Sequence, residues 1–186
     1  IHNVALATLS RLTNEPERYR RYYLKAITLI AFIGMPISAL MTLTGHDIIL
    51  WMRGGQWRIG GEIFRYLGTS IGIMLITFTQ GWLHLSLGRP ERWIRWSIFQ
   101  TVSTTAFFII GMQFSIQGMA VAYSLSFYVL VFPCLWYAGR PVQLSVLSIV
   151  SAIWRYFAAA LLAGIISYLI LYRMDSINLI FINLHG

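Results

Sequence analysis

The sequence predicts an all-α, polytopic membrane bundle. Of its 186 residues, 58% are hydrophobic and only 11% are charged. Mean hydropathy is +0.68. A soluble domain carries about 25% charged residues, so this chain lacks the polar coat that water demands, whereas lipid demands none. Apolar runs long enough to cross a bilayer recur along the chain. A hydrocarbon core needs about 20 mostly apolar residues as helix, and it tolerates no unpaired backbone.

Taken in order, the opening residues, Ile1 to Leu12, read as the exit end of a helix. Asn14-Glu15-Pro16-Glu17 starts the next one. Asn14 suits a cap, Pro16 suits the first turn, and acids there complement the helix dipole. Five spans are expected, at about 24–44, 66–87, 96–112, 117–137 and 149–172, forming one transmembrane domain over 1–186. The first holds Pro36, which is expected to kink it. Gly54-Gly55 and Gly60-Gly61 around Trp57 read as a turn-rich loop. Gly88-Arg89-Pro90-Glu91-Arg92 reads as a tight turn that opens a helix. The tail, 177–184, is apolar but too short to span. The chain opens on Ile1 without Met, and a piece of a longer protein is expected.

Charge sets the orientation. Arg11, Arg18, Arg20, Arg21, Lys25, Arg89, Arg92, Arg95, Arg140 and Arg155 fall on one side of this layout. Arg53, Arg58, Arg65 and Arg173 fall on the other, completing the 14 cations. The positive-inside bias makes the richer side cytoplasmic, with the N-terminal end inside. A net charge of +8 often signals nucleic acid. Here the cations sit in short clusters between apolar runs, which suits anionic lipid instead, so no nucleic-acid partner is expected.

Catalytic chemistry finds little support. The six acids are Glu15, Glu17, Asp47, Glu62, Glu91 and Asp175. All are expected in loops or at helix ends, so no intramembrane carboxylate relay is expected. His84 is the one histidine in a span, and a polar interior role fits it better than metal binding. Cys134 is the one cysteine, so no intramolecular disulfide forms. His46-Asp47 reads as an ordinary loop. Neither an enzyme nor a cofactor is expected. Ser and Thr, among them Thr77, Thr79, Ser103, Thr104 and Thr105, are expected to bond between helices. Gln80, Gln100, Gln113 and Gln117 are expected to contact a neighbouring helix in preference to sugar hydroxyls.

The stretch Leu6 to Lys25, LATLSRLTNEPERYRRYYLK, resembles the "ALSRL…PERYRRYYLRA" segment of bacterial polysaccharide flippases. These form the polysaccharide-transporter branch of the superfamily that also holds multidrug MATE exporters. Gly55-Gln56-Trp57 and Ile63-Phe64-Arg65 resemble that family's outer loop and next helix start. Gly81-Trp82, Leu85 to Arg89 and Arg95-Trp96 resemble its "GWLxLALGR…RW". Gly118, Ala120 to Leu125, Pro133 and Trp136 to Pro141 resemble its "GVALAYSL…P…WYAGRP". The order and spacing of these pieces over residues 5–165 make the set specific.

The resemblance implies a two-lobed helical fold around a polar cavity, of which this chain covers most of the second lobe. It implies flipping of undecaprenyl-diphosphate-linked oligosaccharide across the cytoplasmic membrane for lipopolysaccharide or exopolysaccharide biosynthesis. The implied partners are membrane lipids, the lipid-linked oligosaccharide, the missing lobe and polysaccharide-assembly proteins. The alternatives are a drug or ion exporter of the same superfamily and an inactive membrane fragment. Lys25, Arg65, Gln80 and Arg155 are the candidate substrate contacts, because phosphate at low dielectric needs paired cations. Gln80, Thr77 and Thr79 are expected on the face turned toward the missing lobe.

Overall fold

The computed structural model describes the backbone of residues 2–185 and the side chains of residues 5–170. Among the described residues every regular element is helical. The order is α1 (His2–Arg11), α2 (Pro16–Arg53), α3 (Arg58–Gly68), α4 (Ile71–Phe78), α5 (Gln80–Ser86), α6 (Pro90–Met112), α7 (Ile116–Gly139) and α8 (Val146–His185). Short 3-10 turns at Gly55–Trp57 and Arg140–Val142 join α2 to α3 and α7 to α8.

The chain is a membrane protein, although its spans differ from the expected set. Among the described residues α2, α7 (with the turn after it) and Val146–Ile170 of α8 are long and apolar enough to cross a bilayer. A fourth span forms if Gly55–Gly68 and Ile71–Ser86 count together, bent by 51°. By length and composition alone three helices, or four with the bent pair, meet the requirement against the five expected. The helix that falls short of it is α6, which lies along the full length of α7 from Arg92 beside Tyr137 to Gly111 beside Gly118, but carries Glu91, Arg92 and Arg95 in its first two turns. Gln100 and the polar run from Thr101 to Thr105 dilute the rest of that helix. The expected second span, 66–87, is not one rod but parts of three helices.

Local signals explain most of the boundaries. Pro16 occupies the first turn of α2, as expected. Asn14 does not cap it; Glu15 takes the cap position and pairs with Arg18 at 2.8 Å instead. The helix runs unbroken through Pro36, and the break falls in the next span. Gly88 adopts φ +64°, a backbone that L side chains avoid, and Pro90 then opens α6. Gly60 and Gly61 are not loop residues; both lie inside α3. The tail 177–184 continues α8. Arg173, Asp175 and His185 lie outside the residues whose side chains are described.

A stripe of α2 carries the core. Tyr19, Tyr23, Ile27, Ala31 and Met35 recur every four residues, all buried. They join Leu9 of α1, Ile76 of α4, Leu83 of α5, Leu135 of α7 and Ile149 of α8 in one cluster. Four-residue spacing keeps them on one helix face. Packing is closest where small residues meet, since lipid offers no hydrophobic gain for helix association. A Cβ on Gly68 would lie 2.9 Å from the Met41 carbonyl carbon, and one on Gly111 would lie 2.5 Å from the Gly118 oxygen. These two contacts seat α3 on α2 and α6 on α7.

Candidate functional site

The break in the bent span is the first feature with functional character. A bend frees carbonyls that the helix no longer pairs, and hydrocarbon supplies no water to satisfy them. Neighbouring hydroxyls do so here. Ser38 of α2 donates to the carbonyls of Gly68 at 2.7 Å and Thr69 at 2.9 Å. Tyr128 of α7 donates to Thr69 at 2.6 Å, and Ser124 donates to Tyr66 at 3.0 Å. Beside the bend lies a cavity of about 380 Å³ between α2, α7 and α8. Ser38, Thr42, Thr69 and Tyr128 give it a hydroxyl-bearing wall, while Met35 and Gly164 contribute apolar lining.

The second feature is a buried polar stripe along α5. The turn at Thr79 separates α4 from α5, its N–H reaching the Ile76 carbonyl at 3.1 Å. Tyr23 and Thr79 share a hydrogen bond of 2.8 Å, and Tyr19 and Ser86 share one of 2.6 Å. These bonds tie α5 to α2. On the opposite face Gln80 donates to the Gln100 side-chain oxygen at 3.3 Å, which also accepts from the Trp96 indole at 3.0 Å. His84 is fully buried, its ring 5.6 Å from that of Tyr137. Tyr137 stacks on Trp96 at 5.7 Å. The Arg92 guanidinium sits 4.3 Å from the Tyr137 ring centre and donates to the Tyr137 carbonyl at 2.9 Å. Gln80 Oε1, both His84 ring nitrogens and Arg92 Nε have no hydrogen-bond partner among the described residues.

Several expectations change here. Thr77, Thr79 and Gln80 are 2%, 1% and 5% exposed, so they do not face outward to another lobe. They look inward because α4, which carries Thr77, packs against α2 and α7, and α5, which starts at Gln80, packs among α1, α6 and α7. His84 takes the expected interior role. Glu62 is not in a loop; it lies within α3 and accepts a hydrogen bond from Gln117 of α7. Gln80, Gln100 and Gln117 all contact protein partners on neighbouring helices, except that Gln100 also binds Trp96 of its own helix. Thr77 and Thr104 bond within their own helices and not between helices.

The four candidate substrate contacts do not form one cluster. Lys25, Arg65 and Arg155 are exposed and Gln80 is buried. The backbone of Arg65 lies beside Gly45 of α2. Twenty residues of helix separate Gly45 from Lys25, about 30 Å. Arg65 therefore stands at one end of the bundle and Lys25 at the other. Arg155 lies nearer to Lys25, because the next residue, Tyr156, packs edge-on against Phe32 at 5.8 Å. Gln80 lies near the level of Tyr23, next to its partner Thr79. Among the described residues no three His, Cys, Asp or Glu side chains come together as a metal set would.

Sequence reasoning missed the hydroxyl supports of the bend. Their signal is faint: Ser38, Ser124 and Tyr128 stand in apolar runs that read simply as lipid-facing helix. No curated protein and no solved structure matches the chain. Residues 1–59, which comprise α1, α2 and the turn after them, match a family model described as polysaccharide biosynthesis protein. That match supports a role in polysaccharide biosynthesis for this membrane protein.

Proposed function

We propose that the chain forms part of a flippase that moves undecaprenyl-diphosphate-linked oligosaccharide across the bacterial cytoplasmic membrane, with its N-terminal end cytoplasmic. The observation that carries this reading is the family match over α1 and α2. The same two helices pack against the bent span, through Leu9, Tyr19 and Tyr23. A helix broken inside the membrane and re-satisfied by hydroxyls is a feature of transporters, whose spans bend around a path. The work is binding and movement, with no bond made or broken by the protein.

In this reading the exposed cations act as separate stations. Lys25 and Arg155 meet the diphosphate near one face of the membrane, and Arg65 meets it near the other. Guanidinium pairs with phosphate bidentately, and an ammonium pairs as a point charge. Gln80, being buried, shapes the bundle and does not touch substrate. A second set of helices completes the path, because alternating access needs two halves that rock against each other.

The test is complementation. Cells lacking their own flippase receive the full-length protein that contains this chain, and surface polysaccharide is assayed. Restored polymer supports the reading. Drug resistance without polymer points to the exporter alternative. A protein that inserts and does neither is the inert fragment.

A further inference from the structure

A trough separate from the bend runs between the end of α2 and the start of α3. It encloses about 260 Å³ and is lined by Ile49, Arg53, Trp57, Gly60, Ile63 and Phe64, with Leu67 at its deep end. The lining is graded. Ile63, Phe64 and Leu67 make the inner part apolar. Arg53 and Trp57 stand at the mouth, the guanidinium 5.6 Å from the Trp57 ring centre. Both are exposed, and among the described residues neither Arg53 nor the nearby Arg58 pairs with a carboxylate. Gly60 keeps the trough open: a Cβ there would meet only Trp57, at 3.2 Å.

We infer that this trough is a binding site for an anionic phospholipid, the phosphate on Arg53 and one acyl chain along Ile63, Phe64 and Leu67. Charge complementarity names the occupant. An unpaired guanidinium at the end of an apolar channel in a membrane protein matches an amphiphile with a negative head. Arg forks onto phosphate oxygens, and its stacking on an indole holds that fork in place. Trp57 at the mouth suits the headgroup level, where amphipathic rings gather. A zwitterionic lipid offers the same chain without the net charge. Free phosphate offers the charge without the chain. The inference does not depend on which solute the protein moves.

Native mass spectrometry of the full-length protein, released from nanodiscs of mixed phosphatidylglycerol and phosphatidylcholine, provides the test. Phosphatidylglycerol is expected to be retained over phosphatidylcholine. Arg53→Gln is expected to lower that preference about fivefold, as expected for one cation near an anionic surface. Arg58→Gln, outside the trough, changes it little. Gly60→Leu fills the trough and lowers retention of both lipids. If Gly60→Leu does not fold, Ile49→Trp fills the same space from α2. Added inorganic phosphate leaves the lipid bound. Equal retention in wild type and Arg53→Gln, an equal loss with Arg58→Gln, or displacement by inorganic phosphate would each overturn the site.

Discussion

The Ser38 hydroxyl lies 2.7 Å from the carbonyl oxygen of Gly68, and with that contact α2 supports the bend in the neighbouring span. It also reaches Thr69 at 2.9 Å, so one side chain serves two freed carbonyls. Ser38→Ala is expected to cost about 1–3 kcal/mol, the usual range for stranding a buried polar group. Tyr128→Phe is expected to cost less, because Thr69 keeps its bond from Ser38. Denaturation in bilayer-like detergent, with each variant compared to wild type, checks both. A loss with Tyr128→Phe larger than with Ser38→Ala would put the support on α7.

Tyr23 and Thr79 fasten α5 to α2 and are both buried. Tyr23→Phe, Thr79→Val and the double variant form a mutant cycle. A coupling near 0.6 kcal/mol is expected, the average for such pairs in a membrane, with about 1.7 as the upper range. Zero coupling would mean that shape alone positions α5.

The approach of Gly111 to Gly118 leaves no room for a methyl group. Gly111→Val is expected to destabilise the protein by about 1–3 kcal/mol through overpacking. Gly54→Ala, where nothing crowds the added carbon, is strained by φ +84° alone and is expected to cost less. Thermal aggregation of the two variants in detergent ranks them.

Topology has its own test. In a Cys134→Ser background, Pro90→Cys is expected to resist a membrane-impermeant maleimide in intact cells and to react once the cells are opened. The basis is the ten-to-four division of the chain's 14 cations. Labelling from outside would invert the orientation.

The fold class was legible because apolar content and scarce charge leave few alternatives. Pro16 and the Gly88–Pro90 turn marked helix starts through local backbone chemistry, and local chemistry is what a sequence displays. The broken span was not legible. Gly60 and Gly61 read as loop, yet both lie in α3, and Gly61 is small so that α3 can sit on α2, with His46 packed against it. The bend at Thr69 and Ser70 depends on hydroxyls some thirty to sixty residues away. Thr77, Thr79 and Gln80 carry no mark in the sequence of which neighbours surround α4 and α5, and those neighbours decide their burial. The cations near span ends are visible in the sequence, but the separation of Arg65 from Lys25 and Arg155 belongs to tertiary structure.

Movement of a diphosphate-linked glycan across a bilayer can be followed in a reconstituted system. The most direct measurement places the full-length protein in liposomes with fluorescent undecaprenyl-diphosphate oligosaccharide and follows the fraction that an external, impermeant quencher reaches. Flipping is expected with wild type. With Lys25→Gln and Arg155→Gln it is expected to slow, while the protein remains folded and inserted. A quenched fraction with wild-type protein equal to that of empty liposomes would rule out flipping.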